Sequence, residues 1–119
     1  MSPSSSPDKR ALGRLAEDDA LAYLLLQGLR LVQRNFLCKG GELDLIMCDG
    51  KSIVFVEVRQ RSSSAFGGAL ASITPTKQRR MVRAAQTWLL TQKRLPACRF
   101  DAVVMDGGRM EWLKNILDM

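Results

Sequence analysis

The stretch Glu42-Leu43-Asp44-Leu45-Ile46-Met47-Cys48-Asp49-Gly50-Lys51-Ser52-Ile53-Val54-Phe55-Val56-Glu57-Val58-Arg59 reads as two β-strands joined by a tight turn. Both runs are rich in branched and apolar residues, and Asp-Gly between such runs is a strong two-residue hairpin signal. With Asp49-Gly50 as the turn, Glu42 faces Glu57 and Asp44 faces Phe55. Opposed residues share a sheet face, and so do residues two apart. Glu42, Asp44, Glu57 and Arg59 therefore fall on one face, with Asp44 and Glu57 as diagonal neighbours about 7–8 Å apart at Cα. A cation between the two carboxylates would span that gap. A solvated hairpin face would alternate its charges, whereas here Glu42 opposes Glu57, which is destabilising without a cation or Arg59 to offset it. Ile46, Ile53 and Phe55 lie on the same face and argue for partial burial, and a buried carboxylate needs a partner or a metal.

The acids then stop. No acidic residue occurs between Glu57 and Asp101, while Arg59, Arg61, Lys77, Arg79, Arg80, Arg83, Lys93, Arg94 and Arg99 all fall in that interval. The formal net charge is +6 and the pI about 9.7. Such a balance favours a polyanionic partner such as nucleic acid, or an anionic membrane surface. There is no histidine, which excludes a histidine base, a Ser-His-Asp triad and any His-ligated metal. A metal in this chain would be held by oxygen, which points to magnesium or manganese. The three cysteines form no CxxC pair and suit a reducing compartment. No apolar run approaches the ~20 residues of a membrane span, and residues 1–8 lack the apolar core of a signal peptide. The expected location is the cytoplasm.

A length of 119 residues, 46% of them hydrophobic, suits one domain over residues 9–119 after a polar, disordered tail at 1–8. Residues 9–27 read as a helix, with Leu12, Leu15, Ala16, Ala20, Tyr23 and Leu24 at helical spacing and Gly28 as its stop. A strand at 30–37 precedes the hairpin, whose second strand runs to about 60. Residues 61–72 read as an irregular loop rich in Ser and Gly. Thr74 caps a second helix with Pro75 at its first position, running to about 92. Strands at 98–105 and 109–113 complete the order αβββαββ, an α/β fold with a mixed sheet flanked by helices. On the second helix Met81, Val82, Ala85, Trp88 and Leu89 form one arc, with Arg79, Arg80 and Arg83 opposite. Lys77 and Gln78 fall on the apolar side of its first turn, aimed at the sheet. A lysine there is disfavoured by the helix dipole unless an anion is bound nearby.

Several of these segments together resemble the bacterial YraN family: Gly13-Arg14-Leu15-Ala16-Glu17, Tyr23-Leu24, Gly40-Gly41-Glu42-Leu43-Asp44-Leu45-Ile46, Val54-Phe55-Val56-Glu57-Val58-Arg59, Ile73-Thr74-Pro75-Thr76-Lys77-Gln78 and Cys98-Arg99-Phe100-Asp101. That family in turn resembles the PD-(D/E)xK nucleases, most closely their Holliday-junction resolvase branch. The resemblance implies a restriction-endonuclease-like core and magnesium-dependent (or manganese-dependent) hydrolysis of phosphodiesters in DNA, branched DNA included. Resolvase-like proteins are commonly dimers, so it also implies a homodimer. Carried across, Asp44 matches the metal-binding aspartate, Glu57 the second acid, Glu17 the acid of the first helix and Gln78 the polar residue of the helix after the site. Asp19 falls inside the apolar arc of the first helix and Glu17 at its edge, so either could be the third acid. Leu43 replaces the proline of the motif name. Arg59 replaces its lysine, and an arginine stays protonated and cannot act as a base, though it can stabilise phosphate charge. Lys77 is the stand-in lysine. Arg61, Arg79, Arg80 and Arg83 would hold the DNA backbone without reading sequence. A catalytically inactive nucleic-acid-binding module of the same fold, and a protein-interaction adaptor, are the alternatives.

Overall fold

The computed structural model describes residues 9–61 and 70–118. The polar tail expected at 1–8 and most of the loop expected at 61–72 lie outside the described residues. Helix α1 (Lys9–Leu26) is followed by strands β1 (Arg30–Cys38), β2 (Gly41–Asp49) and β3 (Ser52–Arg61). A short 3-10 turn (Leu70–Ser72) leads into α2 (Pro75–Leu89), and β4 (Cys98–Asp106) and β5 (Arg109–Leu113) complete the expected order. The five strands form one sheet in chain order. Every pairing is antiparallel except β3 with β4, which run parallel because α2 carries the chain across between them.

Each helix end has a local cause. After α1 the Leu29 amide donates to the Leu24 carbonyl and the Gly28 amide to the Leu25 carbonyl. These are the two bonds of a Schellman stop, with Gly28 at φ 98 in the left-handed position that glycine alone takes cheaply. Buried Leu24 and Leu29 sit at the two ends of that motif. The Thr74 hydroxyl accepts from the Lys77 amide at 3.2 Å and opens α2, with Pro75 following. The helix ends at Leu89, three residues before the expected 92, where the Thr91 hydroxyl bonds the Trp88 carbonyl.

The sheet is covered on both faces. Leu43, Ile46, Phe55, Phe100, Met81 and Trp88 pack on the α2 side, and Ala20, Leu24, Leu45, Met47, Val54 and Val103 on the α1 side. Consecutive Val54, Phe55 and Val56 in β3 are all buried, as expected of a central strand with both faces covered.

The β2–β3 register differs from the expectation. Asp49 pairs with Ser52, so the turn residues are Gly50 and Lys51, and Leu45 faces Val56. Gly50, at φ 62, takes the first central position, where a II′ turn places its glycine. The displacement amounts to two residues. An even slip keeps every side chain on its face, whereas a slip of one would have reversed them all. Glu57 thereby moves from opposite Glu42 to the level of Asp44.

A second irregularity matters for the site. In β1–β2, Arg34 pairs with Leu45 and Phe36 with Leu43, which puts Asn35 opposite Asp44. Asn35 has φ 54, a left-handed conformation that asparagine tolerates better than most residues. Leu45 packs on the α1 side, but Leu43 and Phe36 pack on the α2 side. The strands therefore rotate at the Asn35–Asp44 step, and Asp44 emerges where the two faces meet.

Helix α2 lies directly on β2. A Cβ added at Gly41 would stand 2.5 Å from the Arg80 carbonyl oxygen and 2.8 Å from the Ala84 nitrogen, both of them backbone atoms. Gly41→Ala is expected to cost about 2 kcal/mol or more, at the upper end of overpacking losses, because backbone cannot yield as a side chain does. Gly13 lies within α1 with nothing near its added Cβ, so Gly13→Ala should stabilise by about 0.5–1 kcal/mol. Urea unfolding of both variants checks this, and a wild-type midpoint for Gly41→Ala would contradict the close packing of α2 on β2.

Candidate active site

Glu57 extends from β3 toward α2 and is only 2% exposed. Its Oε2 lies 3.3 Å from the Lys77 Nζ, its buried Oε1 meets no N–H or hydroxyl donor among the described residues, and the carboxyl as a whole is within hydrogen-bonding reach of the Asp44 carboxylate. Asp44 stands beside it. The Asp44 Oδ2 accepts from the Val58 amide at 2.8 Å, which fixes that carboxylate just beyond the last recorded β2–β3 pair. Lys77, in the first turn of α2, also lies 3.0 Å from the Glu42 Oε1, and Arg80 approaches the same oxygen at 3.8 Å.

The electrostatics follow from this crowding. Burial, and then the charge of Asp44, push the Glu57 carboxyl up to about 8, against the pull of Lys77. Burial draws Lys77 down, but the surrounding carboxylates of Glu57, Glu42 and Asp44 outweigh it and hold the ammonium above its ordinary value. The short Lys77–Glu57 distance favours an ionised Glu57, and desolvation favours a protonated one. At 2% exposure desolvation is the larger effect, so the shift is upward.

On the other side of Asp44 lies Glu17 of α1. Burial and the charge of Asp44 raise its carboxyl, and hydrogen bonding from Arg34 and Asn35 works in the opposite direction. Glu17, Glu42 and Asp44 share the wall of an open pocket of about 530 Å3 that also includes Gly13, Arg14 and Asn35. Glu57 is not part of that wall and meets Asp44 from the α2 side. Asp44, by its charge, and Glu42, through Lys77, thus connect the pocket to Glu57.

The apolar arc expected for α1 is rotated in the structure. Leu12 and Leu15 remain 37% and 56% exposed, and the buried stripe is Ala16, Ala20 and Leu24. Small residues let α1 approach the sheet along that line, which puts Glu17 beside the stripe and half-buried. Asp19, expected inside the arc, is exposed.

The remaining candidates are dispersed. Arg59 is exposed, two residues beyond Glu57 on β3. The Gln78 side chain donates to the Ile73 carbonyl at 3.0 Å and lines a separate groove with Arg79, Arg83 and Leu117, away from the acids. Arg61 lies 3.7 Å from Asp106. Arg79 and Arg83 are exposed, whereas Arg80, expected beside them on the outer face, reaches back toward Glu42. Sequence reasoning missed Arg34, which lies 2.8 Å from Asp18 and 3.5 Å from Glu17 and orients the latter. It also missed Asn35, whose backbone turn has no sequence signal beyond the residue type.

All the donors here are carboxylate oxygens, as a magnesium or manganese ion requires. Among the described residues no three acidic or cysteine side chains gather closely enough to hold an ion unaided. Magnesium commonly takes one or two carboxylates and keeps several waters, and the adjoining carboxyls of Asp44 and Glu57 fit that mode.

The raised Glu57 carboxyl has a consequence for stability. Between about pH 4.5 and 8 the folded state holds a proton that the unfolded state releases, so the contribution of Glu57 to stability falls as pH rises through that window. Wild type should therefore lose on the order of a few kcal/mol relative to Glu57→Gln between pH 5 and pH 8. Denaturant melts at both pH values measure the difference, and a gap that does not change with pH would contradict the burial assigned to this carboxyl.

Among the described residues, no helix is long and apolar enough to cross a membrane. Residues 16–105 match the model of a family described as "Uncharacterised protein family UPF0102". A UPF0102 protein of Cupriavidus metallidurans is 58% identical over 98% of this chain and 87% of its own length. One from Herminiimonas arsenicoxydans is 52% identical over 92% of this chain and 89% of its own. One from Dechloromonas aromatica is 58% identical over 88% and 87%. On the span of these matches, the chain belongs to UPF0102, the YraN family.

Proposed function

We propose that this protein is a metal-dependent endonuclease with a restriction-endonuclease-like core, cleaving phosphodiester bonds in DNA, branched DNA among its substrates. The observation that carries the reading is the Glu57 carboxyl, 2% exposed and packed against the Asp44 carboxylate closely enough to share a proton with it. Two carboxyls held this close with one of them buried must share a proton or a cation, and a divalent cation would take the proton's place. Asp44 and Glu57 would hold the ion, with Glu17 reaching Asp44 across the pocket. When bound, such an ion places positive charge against the phosphate and acidifies water.

The other groups would act on the substrate directly. Lys77 and Arg59 would stabilise charge on the phosphate, and Arg59 cannot serve as a base because it remains protonated. Exposed Arg79 and Arg83 on α2 would bind the backbone without sequence preference. A second reading, an inactive nucleic-acid-binding module, is favoured by one observation: Lys77 already neutralises the pair Glu42 and Glu57.

Cleavage of duplex, single-stranded and four-way DNA in magnesium or manganese separates the two. Asp44→Ala should lower cleavage about a hundredfold or more, the effect of several kcal/mol of lost charge stabilisation. Arg59→Lys should keep or raise it, and Arg59→Ala should abolish it. Binding that weakens with salt, by a slope of about −0.9 per phosphate contact on duplex DNA, with no cleavage by wild type or Arg59→Lys, would replace the enzyme with the binding module.

A further inference from the structure

The proposed metal ligands already have a cation of their own. The Lys77 Nζ sits 3.0 Å from the Glu42 Oε1 and 3.3 Å from the Glu57 Oε2, and the same Glu57 carboxyl lies against Asp44. An ammonium is a compact point charge on a flexible stem, unlike the rigid fork of an arginine. Lys77 is also at a position where the helix dipole opposes it, in the first turn of α2, capped by Thr74. The carboxylates of Glu42 and Glu57 hold it there. With 20% of its side chain exposed, it can leave toward solvent without unpacking the core.

We propose that Lys77 is the resident counter-ion of this carboxylate site and that a divalent cation enters by displacing its ammonium from Glu57. The proposal rests on the reading of Asp44 and Glu57 as metal ligands. Arg80, 3.8 Å from the Glu42 Oε1, makes the exchange workable, because Glu42 keeps a cationic neighbour after Lys77 departs. The released ammonium becomes available to a phosphate. Polyanion and metal therefore favour the same rearranged Lys77, and by linkage each raises the affinity of the other. Lys77 is on this account a positioning residue that sets metal affinity before any chemistry occurs.

Titration of manganese followed by the paramagnetic resonance signal of the free ion tests this at pH 8 without reference to activity. Lys77→Met should bind manganese about tenfold more tightly than wild type, equivalent to about 1.4 kcal/mol, once both are repeated at higher pH so that proton competition at Glu57 is removed from the comparison. Lys77→Arg should bind no more tightly than wild type, and Glu57→Gln should remove the site in either background. Equal or weaker binding by Lys77→Met, with Glu57→Gln still abolishing it, would overturn the displacement and leave the metal site standing. Binding indifferent to both Asp44→Ala and Glu57→Gln would overturn the metal site itself. Should Lys77→Met fail to fold, wild type carrying 13C-dimethylated lysines gives the answer. The Lys77 resonance, assigned with Lys77→Arg, should move on adding magnesium, and an unmoved resonance would overturn the proposal.

Discussion

A carboxylate inside a sheet covered on both faces has no water to solvate it, and the strand that carries it cannot move it elsewhere. Glu57 follows Val54, Phe55 and Val56 in β3, all of them buried. The next turn of structure has to answer that charge. It does so with Lys77, delivered by α2, whose close seat on β2 requires a residue without a side chain at Gly41. The crossover between parallel β3 and β4 thus has a chemical as well as a topological role, since it brings a cation back over the acid.

The chain contains a second buried carboxylate, and the contrast is informative. Asp101 in β4 is 0% exposed, and both its oxygens are satisfied: by the Arg99 Nε at 3.0 and 3.2 Å, the Trp112 Nε1 at 3.0 Å and the Asn115 amide at 2.9 Å. That network ties β4, β5 and the segment after β5 together, and it has the completeness expected of a structural acid. The Glu57 site has the opposite character, with one oxygen that meets no N–H or hydroxyl donor among the described residues and another carboxylate raising its proton affinity. The same fold satisfies one buried acid fully and leaves the other partly open. Perturbed carboxyls with spare coordination are commoner at functional sites than in frameworks.

Much of this was legible in the sequence, for identifiable reasons. Gly28, Asp49-Gly50 and Thr74-Pro75 mark local boundaries through backbone chemistry, so the element order followed. Asp44 and Glu57 come to one level of the sheet despite a wrong turn assignment because the register moved by an even number of residues. Glu42, by contrast, lies beyond the rotation at Asn35–Asp44 and meets Glu57 through Lys77. The orientation of α1 was less legible. Counting Leu12 and Leu15 into the apolar arc put Asp19 inside it and Glu17 at its edge and left the choice open, whereas the helix uses Ala16 and Ala20 to approach the sheet closely and leaves Asp19 exposed. Asn35 was beyond reach, because its left-handed backbone depends on tertiary packing at the point where β1 and β2 rotate. Lys77 was placed from helical phase alone, but its dual hold on Glu42 and Glu57 needed coordinates.

The central proposal is that Asp44 and Glu57 take a divalent cation in exchange for the Lys77 ammonium that sits against Glu57. A crystal soaked in manganese, with data collected for anomalous scattering, tests it most directly. The account predicts one anomalous peak within coordinating distance of the Asp44 and Glu57 carboxylates, with the Lys77 ammonium moved off Glu57. Lys77 still seated on Glu57, with no peak at these carboxylates at saturating manganese, would contradict it.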